Sequence, residues 1–171
     1  MGGAIAIRVA AHIEAKEDAD TMKRALAAVF VIDVVEGSAM DALPFMEQIV
    51  HNRPRQFPDL KSVIRFGIQS GQVRDKRSAR VSMPEQVVET ADKVTGLKKY
   101  VWRTDLLASK AYWEGWFKGL TQAFLDLKVK KMLLLAGADR MDKALTVAQM
   151  QGKFGMTVVD DCGHVIQEDQ P

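Results

Sequence analysis

The chain has 171 residues, 47% hydrophobic and 27% charged, with a formal net charge of +2. That length suffices for one domain with its own core, and the composition is that of a folded globular protein. So balanced a charge gives no footprint for a nucleic acid or a membrane surface, and no apolar run approaches the roughly 20 residues of a membrane span.

The first three residues, Met1-Gly2-Gly3, look like the back half of a nucleophile elbow, G-x-S-x-G, whose serine would precede Met1 and whose closing glycine is Gly2. A myristoylation start is disfavoured because Ala6 stands where Ser or Thr is wanted. Residues 3–15 are Ala-rich with helical apolar spacing and predict a packed helix. Residues 27–35, AAVFVIDVV, form a continuous β-branched run that fits a strand buried on both faces of a parallel sheet. From about 38 to 128 the pattern changes to amphipathic helices over 39–51, 59–70, 74–91 and 109–126, punctuated by Pro44, Pro54, Pro58 and Pro84. An insertion of this kind between sheet strands predicts a helical cap over a cleft. Two further strands are read at 131–139 and 156–164, with a helix over 142–152 between them. Strand, helix and strand in that order argue for parallel crossovers and an α/β fold. The chain closes on Gln167-Glu168-Asp169-Gln170-Pro171, which looks like the start of a helix. The first residues carry no basic leader and turn charged quickly, so they are not expected to act as a secretory signal. With Cys162 as the one cysteine, a reducing compartment, cytoplasm or nucleus, is expected.

Three histidines are candidates for proton transfer. His12 falls mid-helix and His51 near a Pro-rich turn, so both read as structural or solvated. His164 follows a strand in the loop Asp161-Cys162-Gly163-His164. Chemistry gathers at strand C-termini in a parallel α/β sheet, so His164 reads equally as a general base or as an ordinary loop histidine. Asp33 and Asp139 each end a strand, and both respect the order Ser, Asp or Glu, His of α/β-hydrolases. An aspartate in an apolar strand end is costly unless paired, which favours Asp33 for a buried role. Asp139 has a simpler account as a helix cap or as an ion-pair partner of Arg140. Cys162 reads as an inert thiol. The run Tyr112-Trp113-Glu114-Gly115-Trp116-Phe117 is either cap core or the wall of a groove, since Trp anchors often dominate such surfaces. No zinc spacing, phosphate loop or dinucleotide fingerprint is present, so neither cofactor nor metal is expected.

Six segments carry a family resemblance: MGGAIAI, IDVVEGSAMDAL, SGQVRDKRSARVSM, YVWRTDLLASKAYWEGWFKGL, KMLLLAGADRMDKALTVAQMQGKFGM, and CGH with ED four residues on. In this order, over most of its length, the chain resembles the eukaryotic protein phosphatase methylesterases, which are α/β-hydrolases. The resemblance implies the C-terminal part of that fold over residues 1–171, with 38–128 as a helical cap within it. It implies removal of a methyl ester from the C-terminal leucine of the protein phosphatase 2A catalytic subunit. It also implies a Ser-Asp-His triad, with the acid on Asp33, the base on His164 and the serine directly before Met1. One oxyanion-hole N–H would be that of Met1, and Met150 would lie near the groove for the phosphatase tail, for which the aromatic run offers Trp113 and Trp116 as further candidates. The upstream half of the sheet and the helix after Pro171 are expected to lie outside this sequence, so these residues alone would be inactive. A catalytically dead phosphatase-binding fragment and a generic carboxylesterase are the alternatives.

Overall fold

A computed structural model describes residues 1–16, 26–92 and 94–171. In chain order the elements are α1 (Gly2–Ala15), β1 (Ala28–Ile32), α2 (Glu36–His51), β2 (Gln56–Phe57), α3 (Leu60–Gln69), α4 (Lys76–Glu85), β3 (Val87–Ala91), β4 (Lys98–Trp102), α5 (Trp113–Phe117), α6 (Leu120–Asp126), β5 (Lys130–Leu135), α7 (Lys143–Met150), β6 (Gly155–Val158) and α8 (Ile166–Asp169). Two 3-10 turns, Leu107–Tyr112 and Ala138–Arg140, join them. The chain divides into a first unit, residues 1–44 and 112–160, and a second unit, residues 45–111 and 161–171.

The first unit is built on a parallel sheet in the order β1-β5-β6. Its strands are β-branched or leucine-rich, as a buried pleated surface requires. Val29 and Val31 of β1 and Leu133 and Leu135 of β5 point to one face. They pack there with Ala4, Ile7 and Ala10 of α1, Leu120 and Phe124 of α6, and Leu145 and Ala148 of α7. Each fully buried Val or Leu in such a core contributes about 1.5–3 kcal/mol. The approach of α1 to the sheet depends on Gly3: a Cβ there would stand 2.9 Å from Val31 Cγ1 and 3.2 Å from Val34 Cγ2. Gly2 meets no such neighbour. Contrary to the expectation for residues 27–35, β1 is not buried on both faces. Phe30 is 62% and Ile32 40% exposed, because α1, α6 and α7 supply apolar side chains to the Val29–Val31 face.

Carboxylates tie the loops of this unit. Glu14 in the last turn of α1 accepts from the N–H groups of Lys128 (3.0 Å) and Val129 (3.1 Å). Glu36 accepts from those of Gly119 (2.7 Å) and Thr121 (2.8 Å) at the start of α6. Asp142 caps α7 through the Leu145 N–H at 2.8 Å and also accepts from the Thr121 hydroxyl at 2.8 Å. Each satisfies helix-end or loop donors that would otherwise lack partners.

The second unit corrects the expectation of an all-helical cap. It holds an antiparallel sheet in the order β2-β4-β3 beside the pair α3 and α4. The helix expected over 74–91 ends at Glu85, one residue past Pro84, whose ring cannot continue the hydrogen-bond ladder. Val87–Ala91 then pairs with Lys98–Trp102 across a turn that uses Gly96 at φ +69°. The core here is Phe57, Val63, Val73, Ala79, Met83 and Val87, with Phe66, Trp102 and Val165 packed against it. The helix expected over 109–126 is likewise interrupted, since Gly119 adopts φ +76°, a conformation glycine takes without penalty.

Candidate active site

Asp33 stands just past the C-terminal end of β1, in the left-handed region at φ +48°. Its own N–H donates to Leu134 O at 2.7 Å, which continues the β1–β5 ladder by one rung. The side chain is fully buried, at 0% exposure. Its Oδ1 accepts from the Ala136 N–H at 2.9 Å, and its Oδ2 from Arg140 Nη1 at 2.6 Å. A buried charge is tolerated when it is paired and hydrogen-bonded, and Asp33 meets both conditions. Asp139 differs: it is exposed, in the 3-10 turn, with Oδ1 folded over Gly137, where a Cβ would lie 2.5 Å away. The ion pair expected between Asp139 and Arg140 is replaced by one between Arg140 and Asp33.

His164 belongs to the second unit and is exposed, while Cys162 and Gly163 before it are buried. The loop carrying it leaves β6 through Asp161, whose φ is +56°. A cavity of about 670 Å³ within the same unit is lined by His164 together with Met46, Ile49, Trp102, Arg103 and Leu106. Trp102 is fixed there from three sides. It makes edge contacts with Phe57 and Phe66, donates from Nε1 to Pro54 O at 2.8 Å, and lies 3.6 Å beneath the Arg53 guanidinium. Burial lowers the pKa of Arg53 from its ordinary value.

The remaining candidates fall out unevenly. Met1 directly precedes the first helical residue and is 54% exposed. Trp113 is 8% exposed and packs as a buried side chain of α5. Trp116 is half-buried, and Met150 is 81% exposed at the end of α7 beside Val147 at 45%. His12 is exposed on α1, and His51 is exposed with Nδ1 2.9 Å from Glu47 O. Among the described residues, no group of three His, Cys, Asp or Glu could hold a metal ion, and no helix is long and apolar enough to cross a membrane. Sequence reasoning missed Arg140 as the partner of Asp33 and Asp169 as a buried carboxylate.

A model of the alpha/beta hydrolase family matches residues 1–171. The chain belongs to this family. Among its curated relatives, the Caenorhabditis elegans protein named probable protein phosphatase methylesterase 1 is 46% identical over 171 residues, all of this chain and 44% of that protein. Protein phosphatase methylesterase 1 of Aspergillus oryzae is 50% identical over 141 residues, 82% of this chain and 33% of its own. The human protein of that name is 38% identical over 208 aligned positions, which cover all of this chain and 52% of the human one. The chain therefore spans about half the length, or less, of the curated relatives it matches. Among solved structures, a Mycobacterium tuberculosis esterase superposes with TM-score 0.62 at 22% identity, over 99% of this chain and 55% of its own. E-2-(acetamidomethylene)succinate hydrolase follows at TM-score 0.60 and 20% identity, over 84% and 53%. These two likenesses bear on the fold alone.

Proposed function

We propose that these residues supply the acid and base of a serine carboxylesterase of the methylesterase type, with Asp33 as the acid and His164 as the base. The substrate would be the methyl ester on the C-terminal leucine of the protein phosphatase 2A catalytic subunit, met in the cytoplasm or nucleus. The observation that carries this reading is the buried Asp33 carboxylate, fixed at a parallel strand end by Ala136 N–H and Arg140. It stands in a chain 38–50% identical to proteins named for methylesterase activity.

The chemistry is acyl transfer. The neutral His164 imidazole takes the serine proton as the oxygen attacks the ester carbonyl, and the resulting imidazolium returns that proton to the departing methoxide, giving methanol. Water, deprotonated by the same imidazole, then cleaves the acyl-enzyme to free the leucine carboxylate and the serine. Asp33 holds the imidazole in its productive tautomer and stabilises the imidazolium. The Met1 N–H would provide one oxyanion donor. The cavity beside His164, with Ile49, Trp102 and Leu106 in its wall, has an apolar surface suited to a leucyl side chain, and Arg53 and Arg103 give it a cationic rim. The nucleophilic serine would stand directly before Met1.

An alkyl fluorophosphonate tests this. The 171-residue polypeptide is expected to remain unlabelled, and a longer form that carries the upstream half of the sheet and Gly-x-Ser before Met1 to be labelled stoichiometrically. Stoichiometric labelling of the short form would refute the assignment.

A further inference from the structure

Among the described residues two charged side chains are buried, Asp33 and Asp169, and the reaction outlined above uses only the first. Asp169 ends α8, five residues after His164, and is 9% exposed. Its carboxylate gathers three backbone donors. Oδ2 accepts from the Gly163 N–H at 2.7 Å. Oδ1 accepts from the Arg74 N–H at 2.6 Å and the Asp75 N–H at 3.3 Å. One oxygen thus grips the residue before His164, and the other grips the turn that opens α4. That turn is itself braced, because Asp75 caps α4 through the N–H groups of Arg77 (2.9 Å) and Ser78 (2.7 Å).

On the other side of His164, Val165 packs against the core of the second unit and Ile166 is 5% exposed. His164 is therefore an exposed side chain on a backbone anchored at both neighbours. The approach is close enough to require a glycine at 163, where a Cβ would stand 3.1 Å from Asp169 Oδ2 and 3.6 Å from Arg74 Nε. Carboxylates with two or more N–H donors make charge-assisted hydrogen bonds, stronger and more directional than neutral ones. A proton-transfer group must be held within about 0.5 Å of its working position, and a misplacement of about 1 Å can cost about 10²-fold in rate.

We propose that Asp169 is a positioning residue for His164: its carboxylate clamps the Gly163 N–H to the Arg74–Asp75 turn and so sets where the imidazole stands. This rests on His164 being the base. The clamp needs acceptors on both sides. Asp169→Asn keeps the volume but turns one oxygen into a donor, which must then face either Gly163 N–H or the Arg74–Asp75 pair. Asp169→Glu keeps the charge and moves it by one methylene.

The test is hydrolysis of a leucine methyl ester tail peptide by the form of the protein that carries the elbow serine, well below its melting temperature. Asp169→Asn is expected to lower kcat about 10- to 100-fold with KM within twofold, and Asp169→Glu to lower kcat in the same direction. Asp59→Ala serves as the control. Asp59 is exposed and caps α3 through the Ser62 N–H at 2.7 Å, so its loss should lower the melting temperature and leave kcat unchanged. A kcat within twofold of the parent in both Asp169 variants overturns the proposal. So does an equal fall in kcat in Asp59→Ala, which would make the effect one of general destabilisation. His164→Ala separates the two claims. If it stays active, the assignment of the base fails; if it is inactive while Asp169→Asn and Asp169→Glu are fully active, only the positioning role fails.

Discussion

Arg140→Met should destabilise the first unit out of proportion to the partial exposure of Arg140. The guanidinium is 36% exposed, but the Asp33 side chain it pairs with is 0% exposed, at 2.6 Å. At an effective dielectric of about 20, unit charges about 4 Å apart attract by about 4 kcal/mol, and this closer pair by somewhat more. Desolvation of Asp33 offsets much of that attraction, so the intact pair is worth far less. Removing one partner reverses the situation, because the desolvation has already occurred and the compensation is gone, a change that costs about 3–5 kcal/mol in a fully buried pair. Two features reduce the figure here. Water can enter from the open side of Arg140, and the Ala136 N–H still donates to Asp33 at 2.9 Å. A cost of about 2 kcal/mol follows, or about 4–8 °C in melting temperature for a chain of this size. Urea unfolding followed through Trp113 and Trp116, the tryptophans of the first unit, measures it. The double variant Arg140→Met, Asp33→Asn should recover part of the loss, with a coupling of about 1–2 kcal/mol. A loss under about 0.5 kcal/mol for Arg140→Met, or an Asp33→Asn effect equal in both backgrounds, would refute the reasoning.

Other consequences can be checked separately. Gly3→Ala drives a Cβ to 2.9 Å from Val31 Cγ1 and 3.2 Å from Val34 Cγ2, and should cost about 1–3 kcal/mol of stability by overpacking, whereas Gly2→Ala, with open space around it, should cost no more than a few tenths. Phe30→Lys removes an exposed aromatic from β1, an edge strand among the described residues; lysine blunts such edges, so light scattering of the 171-residue polypeptide should fall with the melting temperature little changed. Asp92 is held well below the usual carboxylate range, first by the Lys99 ammonium and then by the N–H groups of Thr95 and Val94. A depressed folded pKa stabilises above the unfolded value of about 3.9 and loses that contribution as pH falls through the folded one. Asp92→Asn should therefore speed exchange of the Asp92 amide, bonded to Leu97 O at 2.8 Å, at pH 7, and the difference should shrink below about pH 4.

The parallel sheet was legible because β1, β5 and β6 are short apolar runs whose residue types suit a strand in any context. The antiparallel sheet was not. In Ser82-Met83-Pro84-Glu85-Gln86-Val87-Val88 the helical apolar spacing runs on past Glu85, and only pairing with Lys98–Trp102 decides that Val87–Ala91 is extended. That partner opens with Lys98-Lys99, which offers little strand signal of its own. Asp33 was legible through the cost of a carboxylate in an apolar strand end, but its partner was misread. Sequence adjacency suggested Asp139 for Arg140, while the fold brings Arg140 to a residue 107 positions earlier. Asp169 was invisible for the same reason, since its donors at Arg74 and Asp75 lie 95 and 94 positions away.

Hydrolysis of a leucine methyl ester tail peptide, by the form carrying the elbow serine, puts the assignment of acid and base to the most direct trial. Asp33→Asn should lower kcat by about 10⁴-fold, as loss of the orienting carboxylate does in another serine hydrolase. His164→Ala should lower it by about 10⁶-fold. The double variant should be no worse than His164→Ala alone, because the two groups act as one unit. Turnover within tenfold of the parent in either single variant would contradict the account.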